Sequence, residues 1–450
     1  MAKHFRCGTL FSGTGTEAVS DHTIVAEGER IAFVGPSAEA PAPGAGDATI
    51  DLGDAFVMPG LIDVHVHISY GNAMNEEDID LYAPVEFRTI RAMMAAQQVL
   101  KAGVTAMADP AITGRVTLAV RDAIDAGLYV GPRITSSGRQ ITARQGLSDY
   151  YPSWIGCPDT SVGLLVRNAE EAIEEIRVQV KDGVDMIKLA ADGVYVNPRT
   201  GELGGCFSQD ELDAMVTECH RLGKKVISHA RGREGVLQSA KAGCDIIFHA
   251  FYIDDEGIDL CLEKDLAICP TFALMVNGAE FTQPSDGNAG IVDLMKRIYH
   301  DGCENLRKAK DAGVRFLAGT DSGFAITPYG EWHARELEFL VDGLGFSNGE
   351  ALRIATSGNA TMLRHAADVG RVAEGRLCDL LVLESDPLDD IKVLQDKSRI
   401  RAIYLGAEQV DLPDRVYDPA TMSHFSYDMW SEEYTQEKVA GMQIRSIAAE

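Results

Sequence analysis

Between Met58 and Val369 the chain alternates short apolar runs with helix-length amphipathic segments, and this alternation restricts the fold more than any other feature. Eight runs read as strands: Leu61–His67, Val104–Asp109, Arg133–Ser137, Met186–Leu189, Lys225–His229, Ile246–His249, Leu266–Pro270 and Arg315–Gly319. The clearest helical segments are Val85–Ala102, Arg115–Ala126, Ala169–Asp182, Gln209–Leu222, Arg233–Ala242 and Ile291–Ala312. Gly103, Gly127, Gly183, Gly223, Gly243 and Gly313 stand where these helices end, the position at which a left-handed C-cap favours glycine. Strands separated by helices pair in parallel, with the helices covering the sheet. Eight such units over residues 58–369 predict an α/β fold of the (α/β)8 TIM-barrel type.

The flanks read differently. Phe5–Phe11, Thr23–Ala26, Arg30–Val34 and Ala48–Leu52 are short strands before the barrel, and Asp379–Leu383 and Ile400–Leu405 follow it. Residues 1–57 and 370–410 are therefore expected to form one small β-sandwich domain, built from both chain ends. Residues 411–450 carry Tyr417, Phe425, Tyr427, Trp430 and Tyr434, more aromatic content than a disordered tail usually holds. This tail is expected to dock on the protein or on a neighbouring subunit of a homo-oligomer.

Lys plus Arg number 41 and Asp plus Glu 68, a net charge of −27, which speaks against nucleic acid and anionic membranes as partners. Met1–Arg6 lacks the apolar run of a signal peptide, and no stretch is long and apolar enough to span a bilayer. The nine cysteines form no Cys-x-x-Cys pair, so a reducing, cytoplasmic setting is expected.

In a barrel of this type chemistry sits at the C-terminal ends of the strands. The first run ends in His65 and His67, which point to one face because residues i and i+2 of a strand do. The fifth and sixth end in His229 and His249, and Asp321 follows the eighth. Lys188 lies inside the apolar fourth run, where an unpaired ammonium is costly. Taken singly, His229 and His249 also read as satisfied core histidines, and Asp321 as a helix cap. Taken together, the residues read as a metal site.

Pro59-Gly60-Leu61-Ile62-Asp63-x-His65-x-His67, Lys188, His229, His249, Gly319-Thr320-Asp321-Ser322 and Gly370-x-Val372-x-x-Gly375-x-x-x-Asp379-Leu380 together resemble the metal-dependent amidohydrolase superfamily. The likeness is strongest to its prolidase-like and imidazolonepropionase-related branch, which includes the phenylurea and molinate hydrolases. The resemblance implies two Zn(2+) ions, or one metal. His65, His67 and Asp321 would hold one and His229 and His249 the other, with carboxylated Lys188 as the bridge. Metal-activated hydroxide would attack a carbonyl, with Asp321 as the proton shuttle. The chain departs from the branch in Ala190-Ala191-Asp192-Gly193-Val194-Tyr195, His229-Ala230-Arg231-Gly232 and Ala250-Phe251-Tyr252, which border the substrate.

Tyr150, Tyr151 and Trp154, on the loop 138–161, are expected to form an aromatic wall for a small-molecule substrate. Tyr195, Arg231 and Tyr252 are the other expected contacts, with Arg231 suited to a carboxylate. A second loop, Thr271 to Gly290, brings Phe272, Met275 and Phe281. The sequence favours hydrolysis of a C–N bond in a neutral aromatic urea, carbamate or anilide, phenylurea-type first. The alternatives are an Xaa-Pro or Xaa-Arg dipeptidase or N-acyl-amino-acid amidohydrolase and, remotely, a non-catalytic scaffold.

Overall fold

The computed structural model describes the chain except for residues 197, 198, 200, 201, 283–288, 414–431, 443, 445 and 448–450. Strands at Leu61–Asp63, Val104–Asp109 and Arg133–Ser136 form one parallel sheet. Met186–Ala190, Lys225–Ala230, Ile246–His249, Ala267–Cys269 and Arg315–Phe316 continue in parallel in a second. Backbone hydrogen bonds join the two sheets at both margins. Asp185 N donates to Ser136 O at 2.8 Å, and Val64 N donates to Ala318 O at 3.2 Å. Every residue of Met186–Ala190 and of Ile246–His249 is buried, because strands of this kind are covered on both faces.

The helices begin and end for local reasons. Asn168 caps Ala169–Lys181 by accepting from Glu171 N, and Ser208 and Glu211 form a capping box for Gln209–Arg221. All six glycines expected to close helices have positive φ, from 69° at Gly223 to 96° at Gly313. The helices bury their apolar faces against the outside of the strands, as with Ile176, Leu212, Met215 and Val236. A second apolar layer lies among the strands themselves and includes Ile62, Val64, Ile227, Phe248 and Leu317.

Both chain ends share a sheet. Its order is Glu408–Gln409, Ile400–Leu405, Leu380–Leu383, Phe56–Pro59, Ala2–Phe11, Ala18–Glu27, Arg30–Pro36, with Ala48–Asp51 also on Ala2–Phe11. Where a sandwich of two sheets was expected, hydrogen bonding defines one sheet that branches at Ala2–Phe11. One edge of that strand carries Ala48–Asp51 along Lys3–Arg6 and Phe56–Pro59 at Thr9 and Leu10. Its core holds Phe5, Leu10, Ile24, Val57, Leu380 and Tyr404. Arg133 clamps it to the parallel strands, donating to both carboxylate oxygens of Asp379 at 2.7 and 3.0 Å.

Of the tail, Tyr434 N donates to Ala325 O, Trp332 Nε1 donates to Tyr434 O, and the Tyr434 ring stacks on Phe281. Tyr417, Phe425, Tyr427 and Trp430 lie outside the described residues. Among the described residues no helix is long and apolar enough to cross a membrane.

Asn359, fully buried, holds the first and eighth strands together just below the candidate metal ligands. Its Nδ2 donates to Ile62 O and Ala318 O, and its Oδ1 accepts from Ala318 N. Asn359→Ala would remove three buried hydrogen bonds, leaving Ala318 O only its bond from Val64 N, at roughly 1 kcal/mol or more each. Urea unfolding should show a loss of about 3 kcal/mol or more; a loss under about 1 kcal/mol would show that the tie is not needed.

Candidate metal centre

His65, His67 and Asp321 converge, with one potential ligand atom from each lying within 4.8 Å of the others. Asp321 Oδ1 is 3.0 Å from His67 Nε2 and 3.4 Å from His65 Nε2. The other ring nitrogens are engaged from behind. His67 Nδ1 lies 3.1 Å from Ala111 O, and His65 Nδ1 lies 3.2 Å from Thr271 Oγ1. Each imidazole is thereby oriented with Nε2 toward Asp321, as outer partners of metal-binding histidines do. Tyr70 stacks on His67 with ring centroids 4.2 Å apart.

His229 and His249 form a second group, with His249 Nε2 at 3.0 Å from His229 Nδ1. Lys188 is buried, and its Nζ has no hydrogen-bond partner but lies 4.0 Å above the Phe248 ring. His229 Nε2 and His249 Nδ1 are also buried without a partner. Unpaired buried polar atoms are expensive, and their clustering here is what a donor set for divalent metal looks like.

For three of the four histidines the electrostatics agree with that donor set. Burial pushes His65, His229 and His249 well below the usual imidazole range, so they are neutral and have lone pairs to offer. Burial also lowers His67, but Asp109 and Asp321 outweigh it and raise it to about 9. Burial opposes ionisation of Asp321, yet His65, His67 and His249 hold its carboxyl far below the carboxylate range. Burial lowers Lys188 to about 7, which makes a neutral, nucleophilic amine accessible near neutral pH.

Two cavities that share part of their lining meet at this centre. The inner one, about 130 Å³, is lined by His65, His67, Lys188, His229, Asp321 and Tyr150 among others. The outer one, about 430 Å³, touches His249 and Asp321 and is walled by Leu274, Met275, Leu294, Met295 and Ile298. Arg231, Glu76, Leu274 and Phe324 line both.

The substrate contacts expected from sequence divide sharply. Tyr150 and Arg231 are in the cavity lining. Trp154 is not: it is 84% exposed at the tip of a turn in which Ile155 N and Gly156 N both donate to Pro152 O. Tyr151 is turned away, its hydroxyl donating to Asp80. Tyr195 sits on the hairpin Asp192–Val196/Leu203–Gly205 against Gly204, and Tyr252 reaches Asp301. Arg233 pairs with Asp254. The presumed second loop begins as a helix, Phe272–Phe281, which places Met275 in the outer cavity and buries Phe272 and Phe281 elsewhere.

Sequence reading quoted Asp63 and Asp192 without giving either a role, and missed Tyr70, Glu76 and Glu336. Asp63 stands in the opening motif and accepts from His65 N. Buried Glu336 accepts from Phe272 N and Ala273 N, fixing the helix that follows Thr271, and burial raises it to about 8. Asp192 was visible only within Ala190-Ala191-Asp192-Gly193-Val194-Tyr195, one of the departures from the branch.

The amidohydrolase family model matches residues 56–410. Ochratoxinase of Aspergillus niger is 27% identical over 420 residues, covering 89% of this chain and 85% of that protein. The crystal structure of a Xaa-Pro dipeptidase with methionine in its active site superposes with a TM-score of 0.78 at 26% identity, covering 91% of this chain and 100% of that one. Phenylurea hydrolase B, at 24% identity and a TM-score of 0.73 over 91% of this chain and 97% of that one, shares the fold. The TIM-barrel-type α/β scaffold and the match across residues 56–410 lead to one conclusion: the chain belongs to the amidohydrolase family and is a hydrolase of carbon–nitrogen bonds.

Proposed function

We propose that the chain hydrolyses an amide-type bond in a small molecule carrying both an apolar group and a carboxylate, such as an N-acyl amino acid or a dipeptide. The observation that carries this reading is Arg231. It stands where the polar inner cavity meets the apolar outer one, and among the described residues no carboxylate forms an ion pair with it. A guanidinium so placed binds a carboxylate bidentately; against a neutral ring it would lose water without gaining a partner. Leu274, Met275, Leu294, Met295 and Ile298 would take the apolar group, at about 25 cal/mol per Å² buried. The likeness to ochratoxinase and to a Xaa-Pro dipeptidase is in keeping with this. The neutral aromatic urea favoured by sequence is the second reading; the apolar chamber supports it, while Trp154 and Tyr151 no longer do.

The scaffold inferred is a closed eight-stranded barrel. His65, His67 and Asp321 would hold one divalent metal, and His229 and His249 a second, with Lys188 between them as a carbamate. Bound metal would lower the pKa of a water molecule and polarise the substrate carbonyl. The chain's own residues do the rest. Asp321, ionised beside three imidazoles, is placed to accept the proton of the attacking water and return it to the leaving nitrogen. Arg231 fixes the substrate's polar end, and the outer chamber excludes water from its apolar end.

Removal of divalent metal by chelation should abolish hydrolysis, and Asp321→Asn should lower kcat/KM by about 10³-fold or more; full activity in metal-free protein would refute the metal reading. Arg231→Met should raise KM about 100-fold for carboxylate substrates and leave their C-terminal amides nearly unchanged, whereas Trp154→Ala should change neither. Faster turnover of neutral aryl ureas, indifferent to Arg231→Met, would install the second reading.

Lys188 supplies a test without substrate. Its pKa in the metal-free fold is lowered by burial to about 7, so the unfolded chain binds this proton over the range in which the folded chain has lost it. The resulting penalty on folding is full below pH 7 and fades as pH rises toward the ordinary lysine value of about 10.4. Lys188→Met should therefore stabilise the metal-free protein most below pH 7, with the gain shrinking steadily toward pH 10. A gain independent of pH, measured by urea unfolding, would mean that the lysine is not a buried cation.

A further inference from the structure

We propose that Asp192 is a positioning carboxylate for His229, holding its imidazole as the Nε2–H tautomer so that Nδ1 faces the metal. This rests on the metal-centre reading above, and its test separates the two.

The geometry is specific. Asp192 is fully buried and opens the hairpin that follows the strand carrying Lys188. One carboxylate oxygen, Oδ2, accepts from Arg231 N at 2.8 Å and Gly232 N at 2.7 Å, in the turn directly after the strand carrying His229. The other, Oδ1, has no hydrogen-bond partner, and neither does His229 Nε2. These two unsatisfied atoms face each other at 3.7 Å. A small rotation of either side chain closes the gap to a hydrogen bond. The carboxylate cannot retreat instead, because its Oδ2 is held by the turn. Gly235 leaves it room: a Cβ there would come within 2.7 Å of Oδ2. The opposite edge of the His229 ring, Nδ1, is the one turned to His249 Nε2. A proton fixed on Nε2 leaves the Nδ1 lone pair on the side of His249, where it accepts from His249 Nε2 in the metal-free protein and would be offered to a metal.

Asp192→Asn is the discriminating variant. It keeps the side-chain volume and an oxygen for the turn, but presents an NH2 to His229 Nε2, which must then accept and surrender its proton to Nδ1. In metal-free protein, nitrogen-15 NMR of the histidines should show His229 protonated at Nε2 in the wild type and at Nδ1 in the variant. Zinc titration followed by equilibrium dialysis should show one zinc site weakened by about 10–100-fold in the variant, with the other unchanged. Wild-type His229 protonated at Nδ1, or a variant that binds zinc as the wild type does, would overturn the proposal. Should the variant fail to fold, the wild-type tautomer alone decides. Should wild-type protein take up no zinc, the metal-centre reading fails, and the tautomer still tests Asp192.

Discussion

The carboxylate of Asp63 ties the candidate site together. Its Oδ1 accepts from His65 N at 3.0 Å and Thr320 N at 3.2 Å; its Oδ2 accepts from Thr320 Oγ1 at 2.6 Å and His333 Nδ1 at 2.8 Å. His333 Nε2 accepts in turn from Gly330 N, so the histidine proton lies on the side of Asp63. Four donors fill the acceptor capacity of a carboxylate. They come from the end of the first strand, the end of the eighth and the loop beyond it. His65 and Asp321, the candidate ligands these two ends contribute, are each fixed through a bond to the same buried group or to its neighbour. Replacing Asp63 by an apolar residue would leave four buried donors without a partner and would loosen both ligands at once.

Such ties are needed because the site holds strained backbone. His249, Ala250, Thr271 and Asp321 all have positive φ, at 75°, 53°, 59° and 57°, and none is glycine. Each stands just past or at the end of a strand, where the chain must turn while its side chain points inward. The conformation costs on the order of 1–2 kcal/mol per residue. Local bonds hold it: Ala250 N donates to Ala230 O, Ser322 N to His65 O, Thr327 Oγ1 to Asp321 O, and Glu336 takes the two amides after Thr271. Glu336 therefore acts at a distance. It fixes the start of Phe272–Phe281, hence Thr271, hence the hydroxyl behind His65.

The strands and most helices were legible because their patterns are local. Buried parallel strands are apolar runs, and amphipathic helices closed by glycine repeat visibly. Phe272–Phe281 was read as a loop for the converse reason. Eight of its ten residues are buried, Asn277 and Glu280 among them, so its polar residues mark no solvent-facing stripe and no period shows. The histidines, Lys188 and Asp321 stood out by chemical type at strand ends. Asp63 stood out only as a letter of the opening motif, and Asp192 not at all as a working carboxylate, since a single acidic residue before a glycine reads equally well as a turn. Trp154 misled because sequence gives a loop's composition and not the direction its tip faces.

That undetected helix changes what shapes the candidate substrate chamber. Leu274, Met275 and Gly278 belong to it, so the outer cavity is formed largely by helices and not by the aromatic loop. Its far end is anchored by a buried network: Arg335 donates to Asn277 and Glu280, and Glu280 accepts from Ile447 N near the end of the chain. The same terminal segment reaches the opposite wall, where Asn72 donates to Glu433 a few residues before Met74, Asn75 and Glu76 of the cavity. The candidate ligands on strand ends and the chamber braced by this segment meet at Asp321, at His249 and at Thr271, which lines the chamber and stands behind His65. Chamber residues remote from Thr271, such as Leu294 and Met295, are therefore the positions at which a change of size or polarity would disturb Asp63 and the histidines least.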